Sequence, residues 1–198
     1  MKYVNQLEYP HIPYITRTTM EGADYEKGQK TTIRSSGCGL CAAIMVADRL
    51  LPDYDFDLEK AIRLSYDTKA NYRVGTSYTR FAPAFAQLLG LTYEPTSDLE
   101  RLRYCLRIGG AAVAHVGGDR EDFIGLFTHG GHYITVIGEE PDGRFAILDP
   151  SYKEGKFDEE GRKGKIEMKC GVIALCDGDI LEENGVPNKT HYHLFWRA

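Results

Sequence analysis

The chain has 198 residues, enough to bury one substantial core and too few to make two full domains the default reading. Hydrophobic residues make up 42% and charged residues 27%, with 13 Tyr, 8 Phe and 1 Trp, which argues for a globular chain and against a disordered or collagen-like one. Lys and Arg number 24 against 29 Asp and Glu, a formal net charge of −5, so no broad basic surface exists to neutralise a phosphate backbone and nucleic-acid binding is disfavoured.

The longest apolar run, Leu40 to Ala47, is far short of the roughly 20 residues a membrane-spanning helix needs. The opening stretch MKYVNQLEYPHIPY has no continuous apolar segment and no small-residue cleavage site, so it carries no secretory signal and a cytoplasmic location is expected. The five cysteines, at 38, 41, 105, 170 and 176, are odd in number and irregularly spaced, which does not describe a disulfide framework.

In chain order, residues 1–36 are rich in Tyr, Thr, Gly and charge, and Pro10 and Pro13 exclude an early helix, so they read as an extended lead-in with turns. From Cys38 to Leu51 the sequence CGLCAAIMVADRLL sets Leu40, Ile44, Ala47 and Leu51 at helical spacing between Gly37 and Pro52, and predicts a buried helix. Asp57 is placed to cap a second helix, Thr79 a third that ends at Gly90 and carries Pro83 in its first turn, and Ser97 a fourth.

After Gly110 the pattern turns to strands: AAVAHV, HYITVIG, RFAILD, GVIALC and HYHLFW are β-rich runs separated by turn residues, with a hairpin expected at 141–143. The stretch 153–169 interleaves six basic and five acidic residues and reads as a solvated excursion. Residues 1–198 are therefore expected to form one α+β domain, with a lead-in over 1–36, mainly helices over 37–108 and mainly strands in an antiparallel sheet over 110–198.

A cysteine in the first turn of a buried helix feels the positive end of the helix dipole, which favours the thiolate. Cys38 has that position, and the flanking Gly37 and Gly39 leave room for a substrate carbonyl to approach. A nucleophilic thiol also needs a His to take its proton and a third polar group to fix the imidazole. His132 opens an apolar strand after a Gly pair, and Asp149 ends the strand expected to pair with it. Taken one by one, the three residues also fit a small buried hydrophobe, a core histidine and a turn residue before Pro150.

Taken together, SSGCGLCAAIMV, GGHYITVIG and DGRFAILDPSY resemble the papain-like cysteine peptidases related to the double-glycine, bacteriocin-processing leader peptidases. The similarity spans about residues 30–152. It implies a papain-like fold in which Cys38 is the nucleophile, His132 the base and Asp149 the orienting acid, acting on a peptide or protein substrate with no cofactor and no metal. Two features depart from the pattern. Leu40-Cys41 follows the Gly-Cys-Gly, which makes Cys41 a competing thiol. The Gln that relatives place about six residues upstream to donate to the oxyanion is Thr32 here, so Gln6 and Gln29 are the candidates, and the likeness of YVNQLEYPHIPY to the family's lead-in strand favours Gln6.

The remaining residues of this chemistry have plainer readings. His129 belongs to a solvated Gly-rich loop and Cys105 to the apolar face of a helix. His191 and His193 share one strand face, and with Cys170 and Cys176 they match no common zinc spacing. His115 fits either the cleft or a buried site. The alternative functions are a thiol-disulfide redox protein built on the Cys38-x-x-Cys41 motif, and an inert papain-like module that binds peptides. A redox motif of this kind should follow a βαβ pattern, which the lead-in does not supply.

Overall fold

The computed structural model describes residues 1–16, 30–72 and 75–197. In chain order the elements are β1 (Pro13–Ile15), β2 (Lys30–Thr32), α1 (Ile33–Ser36), α2 (Cys38–Leu50), α3 (Leu58–Asp67), β3 (Asn71–Tyr72), β4 (Gly75–Thr76), α4 (Tyr78–Leu89), β5 (Leu91–Thr96), α5 (Leu99–Arg107), β6 (Ala111–Val116), β7 (His132–Glu139), β8 (Phe145–Leu148), β9 (Glu167–Lys169), β10 (Ile173–Cys176), α6 (Gly178–Gly185) and β11 (Tyr192–Arg197). The α+β class is the one the sequence implies.

Seven strands form one sheet in the order β5-β11-β6-β7-β8-β10-β9, antiparallel at every junction. Helices cover both faces. Leu40 and Ile44 of α2 share a core with Val113, Tyr133, Leu148 and Phe195, while Leu102 of α5 and Leu181 of α6 pack with Ala112, Ile134, Val136, Ile147 and Leu194 on the other face. Strands buried on both faces read as continuous apolar runs rather than alternating ones, which explains AAVAHV. Helix α2 is enclosed by β7, β6, α3 and β4, and Leu40, Cys41, Ala42, Met45 and Val46 are fully buried. Each fully buried Leu or Ile there contributes roughly 1.5–3 kcal/mol, so the element that begins at Cys38 is among the best anchored in the molecule.

Several boundaries differ from the sequence expectation. Helix α4 starts at Tyr78 behind Ser77 rather than at a Thr79 cap, so Pro83 lies inside the helix, beyond its first turn, where it removes the donor for the Thr79 carbonyl. Helix α5 is capped by Asp98, whose carboxylate accepts from Glu100 N at 2.8 Å, one residue after the expected Ser97. Strand β5 carries no clear strand pattern in its sequence, LTYEPT; it pairs with β11 at the sheet edge, where Pro95 is tolerated. The hairpin at 141–143 joins β7 to β8 as expected, with Gly143 at φ 86°. The 153–169 stretch is not simply solvated. It contains a 3-10 turn over Lys156–Asp158 and strand β9, and it buries Lys156, Phe157 and Arg162.

Candidate active site

Cys38 is the first residue of α2 and is half-buried, with Gly37 at the N-cap. Both glycines are required by the protein's own packing rather than by an approaching substrate. A Cβ at Gly37 would lie 2.6 Å from the carbonyl oxygen of Ile33, and one at Gly39 would lie 2.9 Å from the Tyr78 ring and 3.2 Å from that of Tyr133. The Tyr78 hydroxyl donates to Gly39 O at 2.6 Å and so pins the first turn of the helix.

His132 begins β7, directly across from Val116 of β6. Asp149 follows β8, and its carboxylate accepts from the N–H of Ser151 at 2.8 Å, a local turn made by a side chain bonding two residues ahead. His132 Nε2 lies 2.8 Å from Asp149 Oδ1, which leaves Nδ1 to face the Cys38 thiol, its neighbour in the cleft. Cys38, His132 and Asp149 thus lie together, with the imidazole hydrogen-bonded to the carboxylate and electrostatically coupled to the thiol.

The electrostatics follow from that arrangement. Burial alone would raise the Cys38 thiol, but the hydrogen bond and charge of His132, with backbone N–H groups of Tyr133 and Gly39, carry it below the ordinary thiol value. Burial alone would depress His132, yet the charge and hydrogen bond of Asp149, aided by Cys38, raise it to about 9. Burial likewise opposes ionisation of Asp149, and His132 and Lys156 overcome it, holding the carboxyl well below the usual range. These opposed shifts favour the thiolate of Cys38 and the protonated form of His132, backed by the Asp149 carboxylate. Cys41, one turn on, is fully buried, and burial together with the Cys38 charge pushes its thiol up.

Two residues at this centre carried no functional reading in the sequence. Ser151 Oγ is 3.1 Å from His132 Nε2 and donates to Asp149 Oδ1 at 3.0 Å. Lys156 Nζ donates to Asp149 Oδ2 at 2.5 Å and to Ser151 Oγ at 2.8 Å, with the side chain almost wholly buried. The Asp-Pro-Ser run signals the Ser151 turn, but nothing in a mixed charge run marks Lys156.

Gln6 lines the same cleft as Cys38, His132, Tyr133 and Ser151, a space of about 580 Å³. The lead-in is sewn to the loop behind Asp149: Tyr3 Oη donates to Asp149 O at 2.7 Å, Gln6 N to Pro150 O at 2.7 Å and Asn5 Nδ2 to Tyr152 O at 2.8 Å. Gln6 Nε2 spends one hydrogen on Arg34 O at 2.7 Å, and an amide nitrogen has a second to give. Gln29 lies outside the described residues.

The other histidines separate cleanly. His115 lines the cleft, stacked 4.4 Å from Tyr133, and burial, then the His132 and His191 charges, lower it to about 4, so it is neutral at pH 7. His129 is exposed and pairs with Asp119 at 2.7 Å. His193 is buried, with Nδ1 2.9 Å from Tyr93 Oη. Cys105 and Cys176 are buried and Cys170 is exposed. Among the described residues no group of three or more His, Cys, Asp or Glu is arranged to hold a metal ion.

The mixed architecture, with a thiol at the start of an enclosed helix and a histidine on the adjacent antiparallel strand, defines an α+β fold of the papain-like kind. It is similar to the crystal structure of a candidate C39-like peptidase from Bacillus anthracis, at a TM-score of 0.58 and 11% sequence identity, over 100% of this chain and 94% of that one. No protein-family model and no curated protein matches the chain.

Proposed function

We propose that the chain is a cysteine peptidase that hydrolyses a peptide or isopeptide bond in a peptide or protein substrate. The observation that carries the reading is the placing of Cys38 beside His132 at the wall of an open cleft, with His132 Nε2 2.8 Å from Asp149 Oδ1. The C39-like fold of the Bacillus anthracis protein and the motif likeness to double-glycine leader peptidases support it.

In this mechanism the Cys38 thiolate attacks the scissile carbonyl carbon. The oxyanion is met by the Cys38 N–H, one of the N–H groups that a helix start leaves without an intrahelical partner, and by the second hydrogen of Gln6 Nε2. The tetrahedral intermediate collapses to a thioester as His132 Nδ1 gives its proton to the leaving amine. A water then loses its proton to the same nitrogen, attacks the thioester and releases the acid, while Asp149 holds Nε2–H and keeps the imidazole in register. The redox alternative lacks support, because every strand junction of the main sheet is antiparallel and Cys41 is sealed from solvent. Incubation with a defined peptide pool and mass spectrometry of new termini tests the proposal. Cleavage by the wild type that disappears in Cys38→Ser is expected; no cleavage, or equal cleavage by both, contradicts it.

A further inference from the structure

Lysine is among the residues least often fully buried, and burying its charge is costly unless it is paired and hydrogen-bonded. Lys156 is only 5% exposed, although it sits in the most highly charged stretch of the chain. Its ammonium takes Asp149 Oδ2, the carboxylate oxygen that His132 does not use, and Ser151 Oγ ties it to Oδ1 and His132 Nε2. A structural tether alone does not need a full charge at that point. The charge count supplies a reason: thiolate, imidazolium and carboxylate sum to −1, and the ammonium brings the buried group to zero.

We propose that Lys156 is a positioning residue that locks Asp149 in place and, as the fourth charge of a neutral buried quartet, sets the pH window of the Cys38–His132 ion pair. This rests on the peptidase reading above.

Titratable groups face this quartet from several elements. Asp149 meets His132, Lys156 and, through its carbonyl, the Tyr3 hydroxyl; Lys156 also feels Glu159 and Arg162; His132 faces Cys38 and His115; and Cys38 is in turn felt by Cys41, Tyr14, Tyr78 and Tyr133. Without the lysine charge, Asp149 turns wholly to His132, the imidazolium is favoured, and the alkaline limb of the ion pair rises. The thiolate loses a neighbouring cation, so the acidic limb rises too. Both limbs move to higher pH, whereas a lysine that merely braced the loop would change amplitude or melting temperature and leave the limbs in place.

The test is the rate of Cys38 carboxymethylation by iodoacetate across pH, read by mass spectrometry on the full chain. The carboxylate of the reagent is drawn by the imidazolium, so fast reaction requires both a thiolate and a protonated His132. Lys156→Met and Lys156→Gln, checked for fold by circular dichroism, are expected to shift both limbs upward by about one pH unit, with Lys156→Arg close to wild type. Gln keeps a donor for Asp149 and carries the same readout if Met does not fold. Limbs that coincide with wild type in the neutral variants overturn the inference. A wild-type profile with one ordinary thiol limb, unchanged in His132→Ala, instead removes the peptidase reading and the inference with it.

Discussion

Gln6 reaches the cleft from the start of a 3-10 turn over Gln6–Glu8, and its backbone, not its side chain, carries the tether to the Asp149 loop through Pro150 O. Gln6→Ala should therefore leave the fold intact and lower the rate of acyl-enzyme formation about 100- to 1000-fold, the usual cost of one oxyanion donor. Burst kinetics with an activated ester substrate read this directly, and an unchanged burst would leave the Cys38 N–H as the sole donor. At this scale the sequence points to Cys38, His132 and Asp149 as the candidate site, because a Cys at a helix start, a His at a strand start and an Asp at a strand end each leave a local mark. Lys156 leaves none, since its partner is supplied by a strand end and it belongs to a stretch of mixed charge most of whose charged members are not buried. Charge runs read as solvated because only tertiary contacts reveal which member turns inward.

The junction between α1 and α2 shows how tightly the element that carries Cys38 is set. Gly37 ends one helix and caps the next, and a methyl group there meets a backbone carbonyl at 2.6 Å that has no freedom to move aside. Gly37→Ala should cost about 1–3 kcal/mol, as overpacking usually does, and lower the melting temperature, while Gly138→Ala, with open space around the added carbon, should not. Equal melting temperatures for the two would mean that the α1–α2 junction yields. Helix positions were legible from apolar spacing, but two of the caps were displaced by one or two residues, since Ser77, Thr79, Ser97 and Asp98 all offer capping chemistry and packing selects among them. Strand β5 was hidden by Pro95, which a sheet edge tolerates and a central strand does not.

For the whole molecule, the sequence of helices followed by strands was legible, whereas strand order was not. The C-terminal β11 inserts between β5 and β6, a pairing across about half the chain that no local pattern records. That insertion places His193 between Tyr78, 4.9 Å away, and Tyr93, 6.0 Å away, inside the core. Burial, with the charge of His115, lowers His193 to about 3. An unfolded histidine takes a proton near its ordinary value of about 6.5, so between that pH and about 3 the unfolded chain binds the extra proton and stability falls as pH drops. The loss approaches roughly 3–5 kcal/mol at the acid end. His193→Phe keeps the ring and removes the titration, so its acid-unfolding midpoint by circular dichroism should move to lower pH. A midpoint that stays or rises would show that other groups govern acid unfolding.

The central claim is that Cys38, activated by His132, is the nucleophile. Site-resolved iodoacetamide labelling near pH 7 tests it most directly, because Cys38 and Cys41 lie one turn apart with opposite shifts. Rapid labelling at Cys38, slow labelling at Cys41, and a loss of rate at Cys38 alone in His132→Ala are expected. Preferential labelling of Cys41, or labelling of Cys38 that is indifferent to His132, would contradict it.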